Sequence, residues 1–234
     1  MKIVNYPKHV AIIPDWNRTW AKKHWFPSFS GHLQWFNRVV EIWTYVFEET
    51  PIEVYTVWWL STENLKNRSE EELSYLFELY KKIPKDLFEM LAKNKVNFRL
   101  AWNRKWLPDH LLDFLDYKIK ELTFKDSSKY MFLAINYWWQ DEILRAMKKV
   151  CKNNEEATKE NLEKYMDFGN VPHVELVIRT KQKEAQRLSW FMLWWIWYAQ
   201  LYFTPIHCPE LTIDEFKKAL EWYSQTVKTQ NFWK

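Results

Sequence analysis

Two glycines, Gly31 and Gly169, and 17 tryptophans are distributed over 234 residues. Average usage of about 7% would supply roughly 16 glycines. This shortage constrains folding more than any other feature, because tight turns, helix ends and close backbone approaches all draw on glycine. A fold with many short connections must therefore put other residues where glycine is normally needed. Trp16 stands in such a place, in the polar loop PDWNRTW that follows the apolar run HVAII, and so do Trp138 and Trp139 after YMFLAINY. An indole at Trp16 fills the space in which backbone N–H groups could wrap an anion.

The rest of the chain reads as an ordinary globular protein, 47% hydrophobic and 27% charged. Short β-branched runs (HVAIIP, EVYTVWWL, NFRLAW, YMFLAINY, VELVIRT and AQLYFT) alternate with segments of helical period. In HLQWFNRVVEIWTYVF, the residues Leu33, Phe36, Val39, Val40, Trp43, Val46 and Phe47 recur at helical spacing. Similar patterns cover SEEELSYLFELYKKIPKDLFEMLAK with a break at Pro84, PDHLLDFLDYKIKEL, QDEILRAMKKVC and IDEFKKALEWYSQTV. Alternating strand and helix predicts an α/β fold: a single domain over 1–234 with a mostly parallel central sheet of about six strands flanked by helices. Near-continuous apolar strands are those that helices cover on both faces. KNNEEATKEN, at 152–161, is the expected exposed connection.

Cys151 and Cys208 form no Cys-x-x-Cys pair, which argues against a zinc site or disulfide framework and for reduced thiols in a cytoplasmic protein. WFMLWWIWYAQLYF is too short to span a membrane and is expected to be buried. The net charge of +4 suits an anionic ligand. A nucleic-acid platform is disfavoured, because the tryptophans sit in apolar runs and turns rather than on one basic face.

In open parallel sheets ligands gather at the carboxyl ends of strands. Those ends here carry Asp15 and Asn17; Ser61, Thr62, Glu63 and Asn64; Asn103 and Arg104; Asn136; and Arg179. Arg18, Arg179 and Arg187, with Ser189 near an expected helix start, suit phosphate oxygens, since a guanidinium fork and free backbone N–H groups both donate. Asp15 and Glu63 suit a hard cation such as Mg²⁺. His32, just after Gly31, reads alone as a cap or packing residue.

Read in order, HVAIIPDWNRTWAKK, Gly31-His32, WLSTEN, INYWWQDEI, IRT with RLSWFMLW, and YAQLYFT resemble the motif series of the cis-prenyltransferases, the undecaprenyl diphosphate synthase-like family. In that family the first block reads HVAIIMDGNxRWAKK, the fourth NYGGRxEI, and the later ones RLSNFLLW and YAELYFT. Against it, Trp16, Trp138 and Trp139 occupy glycine positions, Trp25, Trp35 and Trp233 common glycine positions, and Trp59, Trp102, Trp190 and Trp197 positions of glycine or another small residue. Trp20 and Trp194 match family aromatics. Restoring the other ten as glycine would raise the total from 2 to 12, much closer to the roughly 16 expected. Two explanations fit: a reassigned UGA codon that the source translates as glycine and that reads here as tryptophan, or real substitution in a degenerate protein. Drift would not select one residue type at glycine positions, which favours the codon.

The resemblance implies a transferase that condenses isopentenyl diphosphate with an allylic diphosphate such as farnesyl diphosphate, giving a cis-polyprenyl diphosphate of the undecaprenyl type. It implies Mg²⁺ as cofactor, a homodimer, peripheral membrane contact through the lipid product, and no nucleic-acid partner. It places Asp15 and Gln200 at the metal. It assigns Asp15, Ser61, Asn64 and His32 to catalysis, and Trp16, Asn17, Arg18, Thr19, Trp20, Ser28, Thr62, Glu63, Asn67, Arg68, Arg179, Arg187 and Ser189 to substrate binding. Helices after residues 32 and 70 are expected to line a hydrocarbon tunnel. The chain departs from the family at Thr19 and Ser28, where arginine is usual, at Leu65 and Asn67, in the longer segment KQKEAQ, and at Gln200, where the family has glutamate. Thr19 and Gln200 are the features that would suit an alternative, a non-catalytic relative acting as partner subunit or lipid-binding module.

Overall fold

The computed structural model describes residues 3–15, 17–180 and 186–229. Six strands form one sheet: β1 (His9–Ile13), β2 (Val54–Ser61), β3 (Asn97–Trp102), β4 (Tyr130–Tyr137), β5 (Leu176–Thr180) and β6 (Gln200–Thr204). Their order is β3-β4-β2-β1-β5-β6, and every neighbouring pair is parallel. The predicted strands are all present. Both faces are covered, which is why the runs lack polar alternation. Along β1, Val10 and Ile12 enter one core, whereas Ala11 and Ile13 enter the other.

The first core is built under α2 (Ser28–Glu49), α4 (Glu70–Lys81), α5 (Lys85–Lys93), α6 (Asp109–Glu121) and α9 (Ile213–Thr229); the second lies under α7 (Trp139–Lys152) and the segment 191–196. On α2 the buried set is His32, Trp35, Phe36, Val39, Ile42, Trp43, Val46 and Phe47, while Leu33 turns outward at 45% exposure. Trp35 and Ile42, outside the expected pattern, point inward as well. Three short helices were not foreseen: α1 (Asn17–Lys23), α3 (Thr62–Asn67) and α8 (Lys159–Tyr165), the last beginning inside the expected connection, where Thr158 Oγ1 accepts from Asn161 N. Segment 186–199 is only partly buried, against expectation: Phe191, Met192, Trp195 and Ile196 point inward, whereas Trp190, Trp197 and Tyr198 are exposed. The chain there turns repeatedly instead of forming a helix, because Ser189, Trp190 and Met192 all adopt positive φ. Ser189 therefore does not mark a helix start.

Trp35, Trp43 and Trp59 pack edge-on or tilted around one another, with Trp59 ring centroids 4.9 Å from Trp35 and 5.5 Å from Trp43. Their three buried indole N–H groups, together with those of Trp58 and Trp139, have no hydrogen-bond partner among the described residues. Each such donor forfeits about 1–3 kcal/mol. Both cysteines are free, Cys208 buried and Cys151 exposed. Among the described residues no helix is long and apolar enough to cross a membrane.

His9 gives the fold a pH dependence. It is fully buried, with Nδ1 2.8 Å from Pro172 O and Nε2 2.8 Å from Thr56 Oγ1. A carbonyl only accepts, so Nδ1 carries the proton and Nε2 accepts from the threonine hydroxyl. Burial lowers its pKa from 6.5 to about 4. The unfolded chain takes up this proton first, so the contribution is complete above pH 6.5 and is lost as pH falls towards 4, about 3 kcal/mol in all. Urea titrations between pH 7 and 4 should show this loss in wild type and a flatter profile in His9→Gln.

Candidate active site

The strand order fixes where the site lies. From β1 the chain builds outward through β2 to β4 and β3 on one side, and returns to add β5 and β6 on the other. The reversal leaves a crevice at the carboxyl ends of β1 and β5, the position where open α/β sheets bind ligands. Asp15 follows β1 and Arg179 ends its register with Ile13. Arg179 Nε donates to Asp15 Oδ2 at 2.7 Å. The same guanidinium donates to Ser189 Oγ at 2.9 Å and to the carbonyl of Arg187. Arg179 is 4% exposed, so its fork is fixed by these acceptors rather than by water.

The main chain of Asp15 is held from two sides. Its N–H donates to Thr180 Oγ1 at 2.8 Å, and its carbonyl accepts from Cys208 N at 3.3 Å. Burial, then the charge of Asp15, pushes the Cys208 thiol well above its usual range, so it stays protonated beside the site. Thr180 was not singled out from the sequence, where it reads as the polar end of an apolar run.

A second cluster faces the same crevice. Ser61 closes β2 and caps α3, its hydroxyl accepting from Asn64 N at 2.9 Å. His32, 2% exposed on α2, has Nε2 3.1 Å from Glu72 Oε1, and Arg68 reaches the same oxygen at 3.3 Å. A carboxylate only accepts, so His32 Nε2 carries a proton. Glu72 was missed. Its sequence signal, Ser69 three residues earlier, reads as a helix cap, and Glu72 N does donate to Ser69 Oγ at 3.3 Å. The fold sends its side chain to His32 instead.

Two cavities open here. One of about 60 Å³ is bounded by Asp15, His32, Ser61, Asn64 and Arg68, and its floor is Trp35 and Trp59. The other, about 370 Å³, is lined by Ser61, Thr62, Glu63, Lys66, Asn67 and Ser189, with Trp58, Tyr137, Trp138 and Trp190 as aromatic walls. Ser61 and Trp58 border both. Trp58 is stacked on Phe191 with centroids 5.0 Å apart, and Trp138 meets Trp190 edge-on at 6.4 Å.

The fold therefore brings Asp15, His32, Ser61, Asn64, Arg68, Arg179 and Ser189 around one crevice, with Thr62, Glu63 and Asn67 on its outer rim. Arg187 enters through its carbonyl, and its side chain is exposed. Thr19 and Trp20 lie in α1, where the Trp20 ring packs on His24 at 4.6 Å. Trp16 lies outside the described residues, as do the side chains of Asn17, Arg18 and Ser28. Asn103, Arg104 and Asn136 brace the rim instead: Asn136 Nδ2 donates to the carbonyls of Asn103 and Lys105, and Arg104 forks onto Asp116. Gln200 is not brought to Asp15 within this chain. It begins β6 opposite Leu176, whereas Thr180 pairs with Thr204, so Gln200 sits at the amino end of the sheet. Four residues of strand separate it from the rim, about 13 Å.

The donor set can be tested against Mg²⁺. Among the described residues no group of three or more His, Cys, Asp or Glu side chains converges on a point. That excludes an all-protein cage there but fits magnesium, which binds through one or two carboxylates and completes its shell with water and substrate phosphates. Asp15, with 27% of its side chain exposed at the crevice, can supply that carboxylate once Arg179 turns to an anion.

Residues 13–231 match the family described as putative undecaprenyl diphosphate synthase. A tritrans,polycis-undecaprenyl-diphosphate synthase (geranylgeranyl-diphosphate specific) of Thermoplasma volcanium is 36% identical over 231 residues, covering 94% of this chain and 86% of that protein. An isoprenyl transferase of Treponema denticola is 36% identical over 221 residues, covering 93% and 94%. Among solved structures, lavandulyl diphosphate synthase from Lavandula x intermedia, in complex with dimethylallyl diphosphate, superposes with a TM-score of 0.83 at 27% identity, covering 94% of this chain and 95% of that one. A probable undecaprenyl diphosphate synthase from Campylobacter jejuni gives 0.74 at 30%, covering 94% and 96%. With its motifs in order, its sheet intact and its strand ends converging on one crevice, the chain belongs to the undecaprenyl diphosphate synthase family, the cis-prenyltransferases.

Proposed function

We propose that this enzyme condenses isopentenyl diphosphate with an allylic diphosphate to give a cis-prenyl diphosphate. The observation that carries the reading is the ion pair of Asp15 with Arg179 at the topological switch point, 2.7 Å long, with Ser189 on the same guanidinium. An ion pair at a ligand crevice is a preformed exchange. An incoming diphosphate takes Arg179, and Asp15 is released to face a cation carried by that anion.

In the reaction a C–C bond forms between the terminal methylene of isopentenyl diphosphate and C1 of the allylic group. Diphosphate departs with the electron pair of the C1–O bond, and a proton is lost from C2 of the isopentenyl unit. Mg²⁺, when bound, would neutralise charge growing on the departing diphosphate. Arg179 and Ser189 would orient the isopentenyl diphosphate, with Arg187 beside them. Ser61, Asn64 and His32 face the reacting end, where the proton must leave. Glu72 fixes the His32 ring and anchors Arg68. The apolar helices α2 and α4 would flank the hydrocarbon. Assembly as a homodimer, a cytoplasmic location and product contact with a membrane surface accompany this reading.

Incorporation of labelled isopentenyl diphosphate into a butanol-extractable product, dependent on Mg²⁺ and on an allylic primer, tests it. No incorporation with any primer would favour the non-catalytic partner subunit. Glu72→Gln should lower kcat/KM about tenfold or more, the equivalent of one hydrogen bond to a charged group. The pH–rate profile should shift with it, which a purely structural role for Glu72 would not produce.

A further inference from the structure

We propose that the functional protein carries glycine at positions 25, 106 and 190, and by the same translation at 35 and 59, so that the site is wider and deeper than the indoles leave it. The backbone favours glycine at the first three positions, each through a different motif, although Lys95, Asn154 and Met192 take the same left-handed φ in this fold.

Trp25 follows α1 with φ of 60°. Its N–H reaches Lys22 O at 3.2 Å, and Phe26 N reaches Ala21 O at 2.9 Å. That pair of bonds is the Schellman ending of a helix, whose left-handed residue is usually glycine. The helices α5 and α7 end in the same way at Lys95 and Asn154, so the motif recurs in this fold independently of tryptophan.

Trp106 has φ of 66° and sits third in the turn 104–107, closed by Leu107 N to Arg104 O at 3.4 Å. A positive φ at that position is the type II arrangement, which takes glycine. In the turn 188–191, closed by Phe191 N to Leu188 O at 3.0 Å, Ser189 and Trp190 have φ of 47° and 70°. Two successive positive φ values make a type I′ pattern, the preserve of glycine and asparagine. A bulky residue is an outlier in this region. Packing does not offset the strain, since the three side chains are 96%, 64% and 54% exposed. Position 106 lies outside the motif blocks quoted above.

The buried tryptophans divide by a second criterion. Trp195, buried, donates Nε1 to Glu142 at 3.2 Å, and the half-buried Trp194 donates Nε1 to Glu163 Oε1 at 2.9 Å, as a tryptophan in a packed interior should. Trp35 and Trp59 have buried N–H groups with no partner among the described residues, and they line the 60 Å³ cavity beside Asp15 and His32. Trp43 and Trp58 share the unpaired N–H but stand at no glycine-type position, and they remain tryptophan. Without the two floor indoles the cavity extends into the core between α2 and β2, an apolar space continuous with the crevice. That part rests on the prenyl transfer proposed above.

Peptide mass spectrometry of the protein purified from its own cells is the direct test. Glycine is expected at 25, 35, 59, 106 and 190, with tryptophan at 194 and 195; tryptophan at 25, 106 and 190 overturns the proposal. Full-length chains made from synthetic genes give an independent check. Relative to the all-tryptophan chain, Trp25→Gly/Trp106→Gly/Trp190→Gly should raise Tm by about 5–10 °C. Alanine at the same positions keeps a Cβ and should recover little of it. Equal melting of the glycine and alanine versions would refute the backbone argument. Adding Trp35→Gly/Trp59→Gly should tighten farnesyl diphosphate binding at least tenfold by calorimetry. Unchanged binding with the Tm gain intact would overturn the claim about the cavity floor alone. Absence of turnover with tight binding would count against the enzymatic reading instead.

Discussion

Asp15→Ala is expected to lower kcat for prenyl transfer by roughly 10²–10³-fold, the loss typical of removing one preorganised electrostatic partner of a developing charge. The effect should fall on kcat rather than KM. Removing the carboxylate frees Arg179, which still has Ser189 Oγ and the Arg187 carbonyl as acceptors and can bind an anionic ground state at least as well. The loop itself should persist, because Thr180 and Cys208 hold the main chain of Asp15, not its side chain. Asp15→Asn should be nearly as inactive, since it keeps the shape and loses the charge that a cation needs. Steady-state incorporation of labelled isopentenyl diphosphate, with a melting curve for each variant, decides the matter. A variant within a few-fold of wild type would remove Asp15 from the chemistry.

Arg179→Ala should reverse that pattern. The guanidinium is buried and serves Asp15, Ser189 and Arg187 together, so its loss breaks substrate anchoring and local structure at once. A drop of roughly 10²-fold or more in kcat/KM for isopentenyl diphosphate is expected, dominated by KM. Breaking a buried pair costs about 3–5 kcal/mol; here the cost should lie at or below the lower figure, because the Asp15 side chain is 27% exposed and can hydrate. A Tm decrease of about 5–10 °C follows for a chain of this size. Arg179→Lys retains the charge but not the fork, and should restore stability better than it restores KM. If lysine restores both equally, Arg179 acts only as a point charge.

Much of this site was legible in the sequence. Asp15, Ser61, Asn64 and Arg179 stand at the ends of apolar runs whose length and composition declare them strands, and a parallel sheet gathers those ends on one edge. The six ordered motifs add His32, Arg68 and Ser189. Glu72, Thr180 and Cys208 were not legible, because each acts through a contact distant in sequence: Glu72 with His32, 40 residues away, and Thr180 with Asp15, 165 away. Asn103, Arg104 and Asn136 looked equivalent to the true rim residues. They differ in what they meet: Asn136 donates to the carbonyls of Asn103 and Lys105, Asn103 to Asp141, and Arg104 to Asp116. Gln200 stands at the glutamate position of the family motif, yet the register of β6 against β5 carries it to the other end of the sheet.

The sequence by itself determined the alternation of strand and helix, the burial of both sheet faces and the anomaly at glycine, since each is a matter of local composition and period. Tertiary structure alone decided which strand ends meet. Strand order puts β1 beside β5, and only that adjacency turns a carboxylate and a guanidinium 164 residues apart into an ion pair. It also decided which tryptophans conflict with the fold. A positive φ or an unpaired N–H is a property of the backbone path and the packed interior, and no residue carries either until its neighbours are in place.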